Sequence, residues 1–284
     1  MNSKIISKKT DTLSRYRTQH YFQYYGEIES IEDYIFYIDW AKKNKKKLFF
    51  LGNGSNTLFT RKNVKTLVLK NNLKKEINCI SEKENLYEIS SNVLVSEVLS
   101  YCYKRSLDSF YYLASVPATI GGALAMNAGQ GRQVNQSIYD FVESVTYIDS
   151  DQRVVKLMRN EMNIEFRKTI FTGCQDKFII GAVFKFPNKE FHGQNPIMDR
   201  IRWAKAHQDN VLPNCGSVFN KGSSRLLRYL KGFRIGKAKF SSKAQNWINN
   251  ESTSPYPILT LIFITRLLHL FIFKKTKIEV IRVK

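Results

Sequence analysis

The chain has 284 residues, 43% of them hydrophobic, enough for two or three compact units with buried cores; this excludes a disordered protein. A formal net charge of +21 favours anionic partners, but the lysines are dispersed and no RNP-type aromatic motif, zinc-finger spacing or basic heptad accompanies them, so nucleic acid is not expected as a partner. Cys79, Cys102, Cys174 and Cys215 form no CxxC pair, and His20, His192, His207 and His269 show no ligand spacing, which argues against a disulfide framework and a metal site.

The opening "MNSKIISKKTD" breaks its only apolar pair with charges, so no signal peptide and a reduced, cytoplasmic setting are expected. Ser30 and Asp33 have the spacing of a capping box, and Tyr34, Ile38 and Ala41 follow at helical intervals. "KKNKKK", Lys42–Lys47, suits a solvated helix C-terminus. Leu48–Leu51 then reads as a short strand that breaks into the glycine loop "LGNGSN", and "VKTLVLK" as another strand. Leu86–Ser90 suits a strand, and Val95, Val98, Leu99 and Cys102 share one helix face.

A long stretch of small residues, "YYLASVPATIGGALAMNAGQGR", comes next. Beyond it Val145–Ile148 and Val154–Leu157 flank an Asp-Ser-Asp turn as a hairpin, and "DKFIIGAVFKF" supplies a further strand. From about Phe191 the chain reads as a polar helix, the turn "PNCGSVF" and a basic segment. Pro257–Phe273 is apolar over about the length of the shortest membrane spans, roughly 17 residues. Arg266 and His269 in its middle are costly in lipid, so a buried amphipathic helix is expected, with membrane attachment as the alternative. A helix between short strands is the pattern of an α/β layer, and the chain reads as divided at 1–77, 78–190 and 191–284.

Three stretches could carry chemistry. Gly52 and Gly54 follow a strand directly and could let backbone N–H groups approach an anion, or simply form a turn. Around Pro117, Thr119, Gly121, Gly122 and Gly129 the scarcity of bulky groups suits either a flat ligand or tight backbone packing. Neither loop fits GxGxxG with a following ribose-binding acid. "PNCGSVF" is either a plain turn or a serine presented on one.

Taken in order, "LSRYRT", "LGNGSN", "SVPATIGGALAMNAG", "FRKTIF", "PNCGSVF" and "SSKAQNWINN" resemble the UDP-N-acetylenolpyruvoylglucosamine reductase (MurB) family, from about Leu13 to Glu279. The family's usual forms are close to GGGSN, GIPGTVGGAxxMNAG, YRxSxF, PSAGSVFKNP and SxKHANFIVN. The resemblance is to the shorter subtype. It implies two α+β subdomains that hold FAD, as in vanillyl-alcohol-oxidase-like folds, and a C-terminal α+β domain, 191–284, for the substrate. By resemblance Gly52, Asn53, Gly54, Ser55, Asn56, Pro117, Thr119, Gly121, Gly122, Asn127 and Gly129 would contact the cofactor, and Asn220 and Lys221 the substrate.

Such an enzyme takes hydride from NADPH through the flavin to the enolpyruvyl ether of a UDP-sugar. Arg167 would pair with the substrate carboxylate, Glu279 would share the stabilisation of developing charge, and Ser217 would donate a proton. A monomer with no stable membrane insertion is expected. The departures include the segment after the serine, where the family's FKNP is Phe219-Asn220-Lys221-Gly222, Gln208-Asp209 for the usual Gln-Pro, Ala244-Gln245 for His-Ala in "SSKAQNWINN", and "HYFQYY" for the Gly-Gly after "LSRYRT". They leave two rivals: a divergent flavoprotein of this fold acting on another substrate, and a non-catalytic basic protein that binds anions.

Overall fold

The computed structural model describes residues 4–130, 136–173 and 176–284, and Cys174 lies outside them. β1 (Ile6–Thr10) and β2 (His20–Ile28) lead into α1 (Ile31–Lys43). The expected capping box starts this helix: the Asp33 N–H donates to Ser30 Oγ at 3.2 Å, and the Ser30 N–H donates to Asp33 Oδ2 at 3.1 Å. Such a cap stabilises a helix by about 1 kcal/mol. Lys42 and Lys43 close the last turn, where cations suit the helix dipole, and Asn44 caps it.

β3 (Leu48–Leu51), β4 (Thr57–Phe59), β5 (Asn63–Val64) and β6 (Leu67–Asn71) follow, then β7 (Ile77–Ser81), β8 (Leu86–Ser90) and α2 (Val95–Tyr103). α3 (Ile120–Ala125) is a single short helix inside the small-residue stretch. After it come β9 (Gly129–Gln130), β10 (Gln136–Ser137), the hairpin β11 (Val142–Asp149) and β12 (Val154–Met158), and β13 (Lys177–Lys185). The C-terminal third holds α4 (Pro196–His207), β14 (Phe219–Lys221), α5 (Ser224–Tyr229), β15 (Arg234–Ile235), β16 (Ala238–Phe240), β17 (Ile248–Asn250), α6 (Tyr256–Phe271), β18 (Lys277–Ile278) and β19 (Ile281–Val283). The mixture is α+β, as the resemblance implies, rather than the α/β layer that the first helix and strands suggest.

The chain divides into two compact units, each discontinuous: unit 1 is Met1–Tyr25, Gly54–Val68 and Lys205–Lys284, and unit 2 is Gly26–Asn53 and Leu69–Ala204. In unit 2 an antiparallel sheet runs in the order β12-β11-β13-β8-β7. Its hairpin has the expected register, with Val145 opposite Leu157 and Ile148 opposite Val154. α3 packs on β8 and β13, and the apolar faces of α2 and α3 join Ile89, Phe110, Val145, Ala182, Phe184 and Phe186 in one buried core. α1 packs through Tyr34, whose ring stacks on Phe50 and Phe178 and whose hydroxyl donates to the Asp149 carbonyl at 2.8 Å.

Unit 1 is a second core beneath α6, formed by Val218, Phe219, Leu227, Ala238, Phe240, Ile248, Ile258, Leu261 and Val280 among others. β15, β16 and β17 make a small antiparallel sheet under that helix. β14 pairs antiparallel with β18, and β19 lies parallel to β4 with Ile281 opposite Thr57.

Unit 1 also buries His20 among Phe22 and Phe59. Its Nδ1 lies 2.7 Å from the Arg61 carbonyl, which can only accept, so Nδ1 carries the proton and Nε2 accepts from the Thr18 hydroxyl at 2.7 Å. Burial pushes His20 below the ordinary 6.5, against the opposing pull of the Arg61 carbonyl. The unfolded chain therefore takes up this proton first as pH falls, and stability rises with pH across the window below 6.5. The thermal unfolding midpoint should fall as pH is lowered from about 6.5 towards 5, and His20→Gln should flatten that slope; a calorimetric pH series on both proteins measures it.

Candidate active site

The glycine loop after β3 is shared by the two units, which divide between Asn53 and Gly54. In unit 2, Gly52 sits so close to α3 that a β-carbon there would lie 2.7 Å from Thr119 Oγ1. Thr119 caps that helix, its Oγ1 accepting from the Gly122 N–H at 3.3 Å. Asn53 Nδ2 donates to the Pro117 carbonyl at 2.8 Å. The loop and the "SVPATIGG" stretch are thus one continuous wall of small residues and backbone.

Residues that sequence reasoning missed brace this wall. Lys70 Nζ donates to the Gly52 carbonyl. Buried Asn71 donates to Ser91 Oγ at 2.8 Å, and the Ser91 carbonyl accepts from the Gly121 N–H at 2.8 Å. The only available signal was a polar pair ending an apolar strand, which many surface strands share.

Arg167 belongs to the same unit. Its guanidinium donates to the Gly129 carbonyl at 2.8 Å and reaches the Asn127 carbonyl at 3.4 Å, while Asn127 Nδ2 donates to the Glu165 carbonyl at 2.8 Å. Both residues adopt left-handed backbone, φ 42° for Asn127 and 56° for Arg167. For arginine this conformation costs about 1–2 kcal/mol and holds only where surrounding bonds over-determine it. Asn127 Oδ1, Ser115 Oγ and the Tyr112 hydroxyl are buried with no hydrogen-bond partner among the described residues.

In unit 1 the other half of the loop meets the serine turn. Gly54 has φ 64°, and a β-carbon there would come within 2.2 Å of the Leu13 carbonyl, so only glycine fits. Cys215 is buried, and its thiol faces the carbonyls of Gly54 at 3.7 Å and Thr57 at 3.6 Å. Burial pushes that thiol up to about 12, so it remains a protonated donor. Gly216 turns the chain at φ 72°, and half-buried Ser217 emerges opposite Trp247 in an isolated bridge.

Main-chain pairing holds the segment after Gly216 in place. The Glu279 N–H donates to the Val218 carbonyl at 2.8 Å, so the segment after Ser217 is bonded directly to Glu279 where β14 and β18 pair. Asn56 ties in the loop: its Nδ2 donates to the Glu279 carbonyl at 3.3 Å and its own carbonyl accepts from the Ile281 N–H at 2.9 Å. Asn246, at φ 69°, clasps Phe219 from both sides, accepting from its N–H at 3.1 Å and donating to its carbonyl at 2.7 Å. Asp209 anchors the neighbouring motif. Burial alone would raise its carboxyl, but hydrogen bonds from Ser241 at 2.7 Å and Asn249 at 2.6 Å hold it below the ordinary value.

The altered segment after Ser217 still pairs with β18. Asn220 Oδ1 is buried without a partner among the described residues, and Lys221 is exposed. A β-carbon at Gly222 would lie 3.2 Å from His269 Nε2, which accepts from the Ser223 N–H at 2.8 Å. The structure therefore groups Gly52, Asn53, Pro117, Thr119, Gly121, Gly122, Asn127, Gly129 and Arg167 in unit 2, and Gly54, Ser55, Asn56, Ser217, Asn220, Lys221 and Glu279 in unit 1.

A glycine-braced α+β scaffold of this kind is shared with known proteins. Residues 23–158 match the model of the FAD binding domain, which makes the chain one of the flavin-binding proteins. It is 31% identical over 239 residues to the UDP-N-acetylenolpyruvoylglucosamine reductase of Aquifex aeolicus, covering 80% of this chain and 76% of that one. It is also 31% identical to the enzyme of the same name from Francisella tularensis, over 77% of this chain and 79% of that one. The crystal structure of the Thermus caldophilus UDP-N-acetylenolpyruvylglucosamine reductase (MurB) has the same fold, with a TM-score of 0.79 at 18% identity, over 99% of this chain and 100% of that one. The chain belongs to the UDP-N-acetylenolpyruvoylglucosamine reductase family.

Replacing Asn246 by Ala removes both clasping bonds and leaves two backbone groups of buried Phe219 without partners. The expected loss is about 2 kcal/mol, read from the urea midpoint of the purified protein.

Proposed function

We infer that the chain is a flavin oxidoreductase that reduces UDP-N-acetylenolpyruvoylglucosamine to UDP-N-acetylmuramate, with FAD as cofactor and NADPH as hydride donor, in peptidoglycan precursor synthesis. The residues present fit the cofactor. Asn127 Oδ1, Ser115 Oγ and the Tyr112 hydroxyl are buried polar atoms that need partners, and they border a wall whose small residues leave backbone groups free to approach a flat ligand. An unsatisfied buried group costs about 1–3 kcal/mol, so a ligand rich in donors and acceptors gains from meeting them. The proposed holders of FAD are Gly52, Asn53, Gly54, Ser55, Asn56, Pro117, Thr119, Gly121, Gly122, Asn127 and Gly129. When bound, FAD relays a hydride from NADPH to the substrate's terminal vinyl carbon.

The protein's own part is to stabilise and quench what that hydride leaves behind. Negative charge develops on the adjacent carbon and its carboxylate. Arg167, whose planar guanidinium is already oriented by two carbonyls, pairs with that carboxylate. Ser217 gives its Oγ proton to the carbon. Glu279, in its protonated form, shares the stabilisation of the developing charge. Asn220, with a buried amide oxygen free to accept, and exposed Lys221 contact the UDP-sugar.

One observation carries this reading: the bond from the Glu279 N–H to the carbonyl of Val218, the residue after the proposed acid, which joins the two segments that carry the proposed acid and the proposed carboxyl. We assign cofactor binding to 1–77 and 78–190 and substrate binding to 191–284. The enzyme acts as a monomer in the cytoplasm. No helix among the described residues is long and apolar enough to cross a membrane.

Purified protein should be yellow, with flavin absorption near about 450 nm, and should oxidise NADPH in step with consumption of the enolpyruvyl nucleotide. Colourless protein, or oxidation indifferent to that nucleotide, would overturn the reading. Ser217→Ala should lower the rate of substrate reduction by about 10²–10⁴-fold while NADPH still bleaches the flavin at the wild-type rate in stopped flow.

A further inference from the structure

Helix α6 is apolar on both sides. Ile258, Leu261, Ile262, Thr265 and His269 are buried, and the helix packs on β15 and β16 of unit 1. His269 is fully committed there: its Nδ1 donates to the Thr265 carbonyl at 2.7 Å while Nε2 accepts from the Ser223 N–H. The outward side repeats at the same helical spacing, yet it too is hydrophobic. Phe263 is 64% exposed, Leu270 68% and Phe271 72%, Leu267 lies between them, and Phe273 just beyond the helix is 97% exposed. A helix with one face to water should be polar on that face, so a stripe of large exposed apolar groups marks a docking surface.

Charge decides what docks there. Residues 205–284 contain 15 Lys and Arg against three Asp and Glu, so this segment holds +12 of the net +21. Arg266 lies within the exposed stripe, and exposed Lys274, Lys275 and Lys277 follow it directly; no carboxylate occurs between Ser252 and Ile278. A second copy of the chain would set these cations against themselves. An anionic surface gains from both features at once, because apolar groups enter the acyl boundary while long cationic side chains reach the headgroups. The helix is too short and too interrupted to span a bilayer, so it must lie along it.

We propose that α6 is a peripheral membrane anchor: it lies flat on an anionic lipid bilayer, with Phe263, Leu267, Leu270, Phe271 and Phe273 in the acyl boundary and Arg266, Lys274, Lys275 and Lys277 on headgroup phosphates. The attachment is reversible. This proposal does not depend on which substrate is reduced.

The test is co-sedimentation of the full chain with vesicles of about one-third phosphatidylglycerol in phosphatidylcholine, against pure phosphatidylcholine, at about 0.1 M salt. The protein should partition onto the anionic vesicles at least about tenfold more strongly, and binding should weaken as salt rises. Leu270→Glu with Phe273→Glu should reduce that partitioning by at least about tenfold with an unchanged circular-dichroism spectrum. Lys274→Glu with Lys275→Glu, which touches no apolar contact, should do the same. The proposal is overturned if the wild type stays in the supernatant, if both double variants bind as it does, or if sedimentation velocity without lipid reveals a dimer that Leu270→Glu with Phe273→Glu dissolves.

Discussion

The arrangement of unit 1 depends on a short relay of main-chain hydrogen bonds centred on Asn56. Its carbonyl accepts from Ile281, its side-chain amide donates to the Glu279 carbonyl, and the Glu279 N–H donates in turn to the Val218 carbonyl. Asn56 and Glu279, 223 residues apart in sequence, thereby become neighbours in one ladder. Because the relay runs through backbone groups and one asparagine, side chains beside it can change without moving Ser217 or Glu279. The altered sequence at Asn220, Lys221 and Gly222 is such a change: β14 still pairs with β18, and Asn246 still clasps Phe219.

Unit 2 solves a different problem with similar means. Arg167 is held by carbonyls of the "MNAG" segment, Asn127 and Gly129, and its left-handed backbone is the local cost of that hold. Binding groups whose orientation is fixed before a ligand arrives lose less entropy on binding. The brace from Asn71 through Ser91 to Gly121 does the same for the small-residue wall.

Much of this was legible in the sequence because it is local. The Ser30 and Asp33 cap, the apolar face of α2 and the hairpin about Asp149 each rest on residues within a few positions of one another, and each formed as read. The order of six motifs carried the family. What could not be read depends on distant partners: Lys70 beneath Gly52, Cys215 against Gly54, and the parallel pairing of β19 with β4 have no periodicity to reveal them. The cost of Arg266 and His269 in lipid did predict a buried face for α6. It could not reveal that the opposite, equally apolar face would look outward, because hydrophobicity all round a helix leaves its orientation undefined.

The parallel pairing of Ile281–Val283 with Thr57–Phe59 also sets an order of events on the ribosome. Unit 2 ends at Ala204, so all of its sequence can leave the exit tunnel and fold while translation continues. Unit 1 has to keep its early segments waiting until the last of these strands has been made, and a contact of such long loop closure forms slowly. Nascent chains of this protein should therefore pass through a stage in which one half is finished and the other still needs protection by chaperones.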